Sequence, residues 1–342
     1  MISVVKYFSL ISQYFKQKGR LFMSTFLFFT LSCSKVDSFQ IQGFTMGTSY
    51  VIKINETRLF NEKLNIKSGI DSILLKINNI FSTYIDTSEI SLFNKSINDT
   101  VLISYHFKKI LNESMRVYED TEGSFDPTIG PLLNLWNFGN DQFQFPNNKN
   151  VSTVLNNVGL KNISINENYI VKNNINFDFN AIAKGYAVDI IRSYLENLGQ
   201  KNFMIEIGGE LYCSEKKNNY EWSVGIQNPY IDSEYIKIIK LKNKAIATSG
   251  TYRNFYNHGG KSYSHIINPM TGFPVKHKTV SVTVVSNNCL TADAYATGLL
   301  VLGNKKGLEV ANRIEDIEAM FITGDKNDYV LEYSNDFKSF ID

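Results

Sequence analysis

The segment Asp178 to Asp189, DFNAIAKGYAVD, constrains this 342-residue chain more than any other. It reads as the end of a strand turning directly into a helix. Asn180 suits the N-cap, whose side chain accepts a hydrogen bond from an otherwise unpaired backbone N–H. Tyr186, Ala187, Ile190, Ile191, Tyr194, Leu195 and Leu198 then recur at helical spacing, and Gly199 stands where such a helix would end. Lys184 falls in about the first turn, at the positive end of the helix dipole, where a cation is disfavoured. Two readings stay open from this segment alone. Lys184 pairs with Asp178, or Lys184 and the exposed N–H groups together face an anion such as a phosphate.

The N-terminus reads as a targeting segment. Lys6, Lys16, Lys18 and Arg20 precede the uncharged run Leu21 to Ser34, too short to span a bilayer comfortably but suited to the apolar part of a secretory signal. Cys33 closes that run in the manner of a bacterial lipoprotein signal, so residues 1–32 are expected to be a signal peptide and Cys33 a lipidated anchor. Residues 33–40 then form a tether and 41–342 the folded domain. Cys213 and Cys289 both lie in apolar, strand-like surroundings and are expected to be two buried thiols rather than a disulfide, without metal-site spacing. A formal charge of +2 with no long basic block gives no reason to expect nucleic acid as a partner.

Along the domain, Phe39 to Ile54 reads as a hairpin around Met46-Gly47-Thr48, and Lys67–Phe81 and Tyr105–Tyr118 as amphipathic helices. Asn140 to Val151 reads as an exposed loop. Strands dominate from Phe203 onward, followed by a helix over Thr291–Leu302 and part of another over Glu309–Ile314. Strands and helices segregate rather than alternate, which implies an α+β class with mainly antiparallel sheets flanked by helices.

Several small constellations carry chemical meaning. Asp293 and Thr297 stand at i and i+4, presenting a carboxylate and a hydroxyl on one helix face. Both are hard oxygen donors of the type Mg²⁺ prefers, but on spacing alone the structural reading, Asp stabilising a first turn and Thr bonded back to a carbonyl, is the commoner one. Gly208-Gly209 interrupts a strand-like run and suggests a bulge or a close backbone approach. The turn sequence Asn268-Pro269-Met270-Thr271-Gly272 fixes the exit of a strand bearing His265, the best placed of four histidines to act as a general base. Trp136 and Phe138 either line an aromatic pocket or fill the core. No serine nucleophile elbow, P-loop or dinucleotide fingerprint is present.

Taken in order, MGT (46–48), FSTYIDTSEISLFN (81–94), GSFDPTIGPLLNLW (123–136), DFNAIAKGYAVD (178–189), IEIGGE (205–210), ATSGTYRN (247–254), SHIINPMTGFPV (264–275) and ADAYATGLLVLG (292–303) resemble the ApbE family of flavin transferases. The resemblance spans nearly all of the chain after the signal and implies a single ApbE-like (T-fold-like) domain. It implies cleavage of FAD and transfer of its FMN half to a threonine or serine hydroxyl of an acceptor protein, with Mg²⁺ and release of AMP. By the same resemblance, Asp293, Thr297 and the carbonyl of Ala181 would hold the metal. Met46, Tyr84, Ser124, Phe125, Asp126, Asp178, Lys184 and His265 would contact FAD, with His265 as the base that activates the acceptor hydroxyl. Tyr84 looks like the residue of the transferring rather than the hydrolysing members. The family pattern further implies an exported acceptor subunit, of the Na⁺-translocating NADH-quinone reductase or Rnf type, and a lipid-anchored protein facing the periplasm. An FAD pyrophosphatase yielding FMN and AMP, or a lipoprotein that stores FAD without turnover, are the alternatives.

Overall fold

A computed structural model of the chain describes residues 38–55, 60–137, 145–160, 163–166, 168–172, 174–215, 221–252, 255–258 and 261–342. The signal, Cys33, Phe138 and Arg253 lie outside the described residues. In chain order the strands are β1 (Ser38–Thr45), β2 (Thr48–Asn55), β3 (Thr100–Leu102), β4 (Ile163–Ile165), β5 (Tyr169–Lys172), β6 (Phe203–Ile207), β7 (Glu210–Cys213), β8 (Trp222–Gln227), β9 (Tyr235–Leu241), β10 (Lys244–Gly250), β11 (Phe255–His258), β12 (Lys261–Ser264), β13 (Thr279–Ser286), β14 (Ile317–Asp325) and β15 (Asp328–Tyr333). The helices are α1 (Phe60–Phe81), α2 (Glu89–Lys95), α3 (Tyr105–Asp120), α4 (Gly130–Trp136), α5 (Asn148–Leu155), α6 (Ala183–Asn197), α7 (Cys289–Leu302) and α8 (Asn304–Arg313).

An eight-stranded sheet in the order β1-β2-β6-β7-β10-β13-β14-β15 is the frame, and every neighbouring pair in it is antiparallel. Both of its faces are covered, and the period-2 alternation of strand side chains shows how. Ala245 and Ala247 of β10, Val282 and Val284 of β13 and Ala319 and Phe321 of β14 join the main core with the helices. Ile246, Val285, Met320 and Ile322 point the other way, onto Trp222, Ile226, Ile239 and Leu241 of the β8–β9 hairpin and onto Phe337.

Helix α7 is apolar nearly all round, as a helix buried on every side must be. It packs on β10 and β13 and against α6 and α8. The approach to α6 is close enough that a Cβ at Gly185 would lie 2.3 Å from the Cys289 carbonyl oxygen. Glycine is the residue type that fits there.

Several expectations are corrected at this level. Gly208-Gly209 is neither a bulge nor a mid-strand break. Ile207 pairs with Glu210, so the two glycines, with φ of 62° and 107°, are the tight turn between β6 and β7. The 140–151 stretch is not all loop, because Asn147 accepts a hydrogen bond from Asn150 N and starts α5. His265 follows the end of β12 rather than standing within a strand. Cys289 opens a helix instead of lying in a strand, although both Cys213 and Cys289 are free and buried as expected.

Candidate active site

Six segments distant in sequence converge on one cavity of about 330 Å³. They are the loop Ser124–Pro127, the start of α6, the β6–β7 turn, the end of β10 with Tyr252, the segment His265–Pro269, and one face of α7 through Asp293 and Thr297.

Helix α6 begins at Ala183, and its cap residue Ile182 offers no side-chain hydrogen bond. Asn180 is therefore not the N-cap. Its backbone N–H and its amide both donate to Asp178, at 2.8 and 3.0 Å. The cap comes from another element: Asp293 of α7 accepts from Gly185 N at 2.9 Å. Helix α6 returns the arrangement. Asp189 accepts from Cys289 N at 2.9 Å and Leu290 N at 2.8 Å, the first amides of α7. Each helix thus supplies a carboxylate to the positive end of the other, where anions are stabilised.

Lys184 does not pair with Asp178. Its ammonium lies 3.4 Å from Glu210 Oε1. Burial acts to lower the Lys184 ammonium, but the charges of Asp293 and Glu210 outweigh it and hold the group above its ordinary value. Burial pushes both carboxyls up, and Lys184 offsets only part of this, so both stay above the ordinary carboxylate range. Asp293 is 3% exposed and Glu210 4%. These charges meet where little solvent screens them.

Around this triad the polar groups are fixed by neighbours. Thr297 Oγ1 lies 2.9 Å from Ser249 Oγ, so the hydroxyl is shared with the end of β10 rather than bonded back to its own helix. Asp126 Oδ1 accepts from Thr128 N at 2.8 Å and Thr128 Oγ1 at 2.6 Å, capping a 3₁₀ turn over Pro127–Ile129. Burial raises the Asp126 carboxyl to about 6 against those bonds. Beyond His265, Gly272 N donates to Asn268 O at 2.8 Å, and Val275 N donates to Ile266 O at 3.0 Å. Trp136 Nε1 donates to Gly272 O at 2.8 Å from within a buried apolar cluster. Trp136 fills the core and anchors the turn; it does not line the cavity.

Of the residues expected at a site, Ser124, Phe125, Asp126, Asp178, Ala181, Lys184, His265, Asp293 and Thr297 all line the cavity. Met46 and Tyr84 are not among its lining residues. Met46 occupies the β1–β2 turn with φ 50°, and Tyr84 is 91% exposed three residues past the end of α1. The hydrogen bond from Asn78 Nδ2 to Thr45 Oγ1, 2.9 Å, ties α1 to the end of β1 beside that turn. Glu210 and Ser249 also line the cavity, and neither carries a sequence signal that marks it as a site residue. Glu210 follows a Gly-Gly turn, the usual place of a solvated hairpin residue, and Ser249 lies in a strand end with no distinguishing spacing.

The fold and cavity define a class: an α+β domain whose single large antiparallel sheet and helical layer enclose carboxylates, hydroxyls and one lysine, a donor set for a phosphate ester and a hard cation. The ApbE family model matches residues 46–321, and the chain belongs to that family. Its relatives include the FAD:protein FMN transferase of Vibrio cholerae, 35% identical over 318 residues, which cover 90% of this chain and 95% of that protein. The FAD:protein FMN transferase of Haemophilus influenzae is 34% identical, over 87% of this chain and 90% of that one. Among solved structures, the flavin transferase ApbE from Vibrio cholerae matches with a TM-score of 0.81 and 34% identity, over 89% of this chain and 99% of that one. The apo form of the Pseudomonas stutzeri flavinyl transferase ApbE matches with a TM-score of 0.81 and 30% identity, over 89% and 96%.

Proposed function

We propose that this chain is an FAD:protein FMN transferase, with the cavity between α6, α7 and the end of β10 as its active site. The observation that carries the reading is the convergence of Lys184, His265, Asp293 and Thr297 on that one cavity in a member of the ApbE family. A hydroxyl oxygen of an acceptor threonine or serine attacks the phosphorus of the FMN half. The P–O bond to the bridging oxygen breaks, AMP leaves with that oxygen, and the hydroxyl proton passes to His265. Phosphoryl transfer asks the protein mainly for positioning and charge neutralisation. Lys184, at the N-terminus of α6, faces the pyrophosphate, and the Ser124–Asp126 loop and Asp178 hold the nucleotide. Met46 and Tyr84, outside the cavity lining, are proposed to contact the parts of FAD that extend beyond it.

The donor set fits Mg²⁺. Among the described residues no group of three His, Cys, Asp or Glu gathers as a metal site. Mg²⁺ does not need one, since it commonly takes one or two carboxylates and retains water. Asp293, Thr297 and Ala181 all line the cavity, and a carboxylate, a hydroxyl and a backbone carbonyl are the hard oxygens they can offer. Bound there, the ion would neutralise charge on the pyrophosphate.

Residues 1–32 are proposed as the export signal and Cys33 as the lipid anchor, holding the enzyme to a bacterial membrane on its periplasmic side through a tether shorter than the expected 33–40, because Ser38, Phe39 and Gln40 already pair with β2 as part of β1. The sequence pattern supports this. Among the described residues no helix is long and apolar enough to cross a membrane. The acceptor is proposed to be an exported subunit of a Na⁺-translocating NADH-quinone reductase or Rnf-type complex, on the family resemblance.

The test incubates the protein with FAD, Mg²⁺ and an acceptor domain and reads covalent flavin fluorescence in a denaturing gel. His265→Ala is expected to lower labelling by about 10²–10⁴-fold. A dark acceptor with FAD consumed would replace transfer by hydrolysis, and FAD bound without AMP release would leave a storage protein. Undiminished labelling by the variant would remove His265 from the mechanism.

A further inference from the structure

The charge on the cavity wall is unbalanced. Asp126, Asp178, Glu210 and Asp293 line it, against the single ammonium of Lys184, a surplus of three negative charges when all are ionised. An FAD pyrophosphate is itself anionic, and in a water-poor cavity such like charges repel strongly. Three of the four carboxylates have a packing duty. Asp293 caps α6, Asp126 caps the 3₁₀ turn, and Asp178 binds the backbone and amide of Asn180. Glu210 differs from them. One oxygen lies 3.4 Å from Lys184, the other is buried with no hydrogen-bond partner, and the residue does no capping. Buried acceptors are rarely left so, and those that are ask for an explanation. Lys184, shared between Glu210 and Asp293, cannot neutralise both and also meet a pyrophosphate.

We propose, on the flavin-transferase reading above, that Glu210 is a charge gate: its carboxylate makes FAD binding conditional on a divalent cation already in the cavity. With the cation present, the negative wall becomes a site that welcomes the pyrophosphate. Without it, Glu210 occupies the Lys184 ammonium and repels the nucleotide. Glu210 is thus a charge-setting residue that acts through Lys184, not a group that touches the reacting atoms.

The experiment measures FAD affinity of the purified full-length protein by equilibrium dialysis, once with Mg²⁺ and once with EDTA. Wild-type protein is expected to bind FAD far more weakly in EDTA. Glu210→Gln, neutral and of the same shape, is expected to close that gap by at least about tenfold, chiefly by tighter binding in EDTA. Glu210→Thr, neutral and suited to a strand, carries the same expectation should the glutamine variant not fold. Glu210→Asp keeps the charge and is expected to keep the gap. An unchanged gap in the neutral variants would overturn the gate, meaning Glu210 carries no charge in the cation-free cavity. Equal weakening in both conditions would also overturn it, leaving Glu210 a structural support for Lys184. Failure of the wild-type protein to bind FAD in either condition would instead sink the flavin-transferase reading itself.

Discussion

Asp126 shows how a single side chain ties the site to solution conditions. Loss of water raises its carboxyl to about 6, against the stabilising bonds from the Thr128 hydroxyl, Thr128 N and Leu160 N. The native state therefore holds this proton over a range in which the unfolded chain, with an ordinary carboxyl near 3.8, has released it. Native protein binds more protons than unfolded protein between about pH 4 and 6, so the contribution of Asp126 to stability falls as pH rises through that window. An amide at this position can still accept the Thr128 bonds and does not titrate. Asp126→Asn is expected to flatten that part of the profile, with the difference from wild type growing by on the order of 2–3 kcal/mol from pH 4 to pH 7. Urea midpoints at pH 4, 5, 6 and 7 check this; superimposable slopes for the two proteins would refute it. At this scale the sequence was most readable where residue type and spacing act locally. Asp293 and Thr297 one turn apart on a helix and Lys184 in a first turn are such cases. Glu210 was not readable, because its burial depends on an α6 lysine 26 positions earlier, brought against it only by the tertiary fold.

Helices α6 and α7 depend on each other's carboxylates, and this reciprocity sets what a change in either will do. Asp189 holds two backbone amides of α7, and Asn288 holds a third through Thr291 N at 2.9 Å. Replacing a helix-end acceptor of this kind by alanine costs about 1–2 kcal/mol. Asp189→Ala is expected to lose about that much, and to do more than destabilise. Released at its first turn, α7 no longer fixes Asp293 against Gly185, so cation affinity falls along with stability. Chemical denaturation measures the first effect, and the Mg²⁺ concentration giving half-maximal FAD binding measures the second. A stability loss with unchanged cation dependence would show that Asp293 is held by packing alone. The same reciprocity explains what the sequence hid about α6. Its C-terminus was legible, since Gly199 takes φ 76° and donates to Glu196 O at 2.9 Å. Its N-terminus was not, because Asn180 has the chemistry of a cap while the cap is Asp293, more than a hundred residues on. Helix α5 escaped notice for a related reason: its asparagine-rich sequence reads as loop, and its one buried residue, Val151, is too little for an apolar stripe.

Across the whole molecule, the site exists only in the native state. Its residues come from positions between 124 and 301, carried by a sheet whose strands follow chain order, β1-β2-β6-β7-β10-β13-β14-β15, with the helices and smaller sheets inserted between neighbours. Alternation and turns revealed the individual strands in the sequence. The order did not show, because the pairing of β2 with β6 and of β7 with β10 is settled by which faces the helices cover, not by local pattern. A ligand that bridges these segments binds the folded chain and has no counterpart site in the unfolded one, so it must raise stability by mass action. At a hundredfold excess over the dissociation constant the gain is about 2.7 kcal/mol. Spread over the unfolding entropy of a domain of this size, that corresponds to a rise in Tm of about 4 °C. Calorimetry avoids interference from flavin fluorescence. FAD with Mg²⁺ is expected to give the full rise, FAD in EDTA little of it, and Mg²⁺ alone a smaller rise from the Asp293–Thr297 face. An equal rise from FAD with and without Mg²⁺ would detach nucleotide binding from the cation, and no rise under any condition would argue against the cavity as the FAD site. Because the cavity draws on both the helical layer and the sheet, the transition should shift as one peak. A shoulder that stays at the unliganded temperature would mean that part of the folded unit unfolds independently of the site.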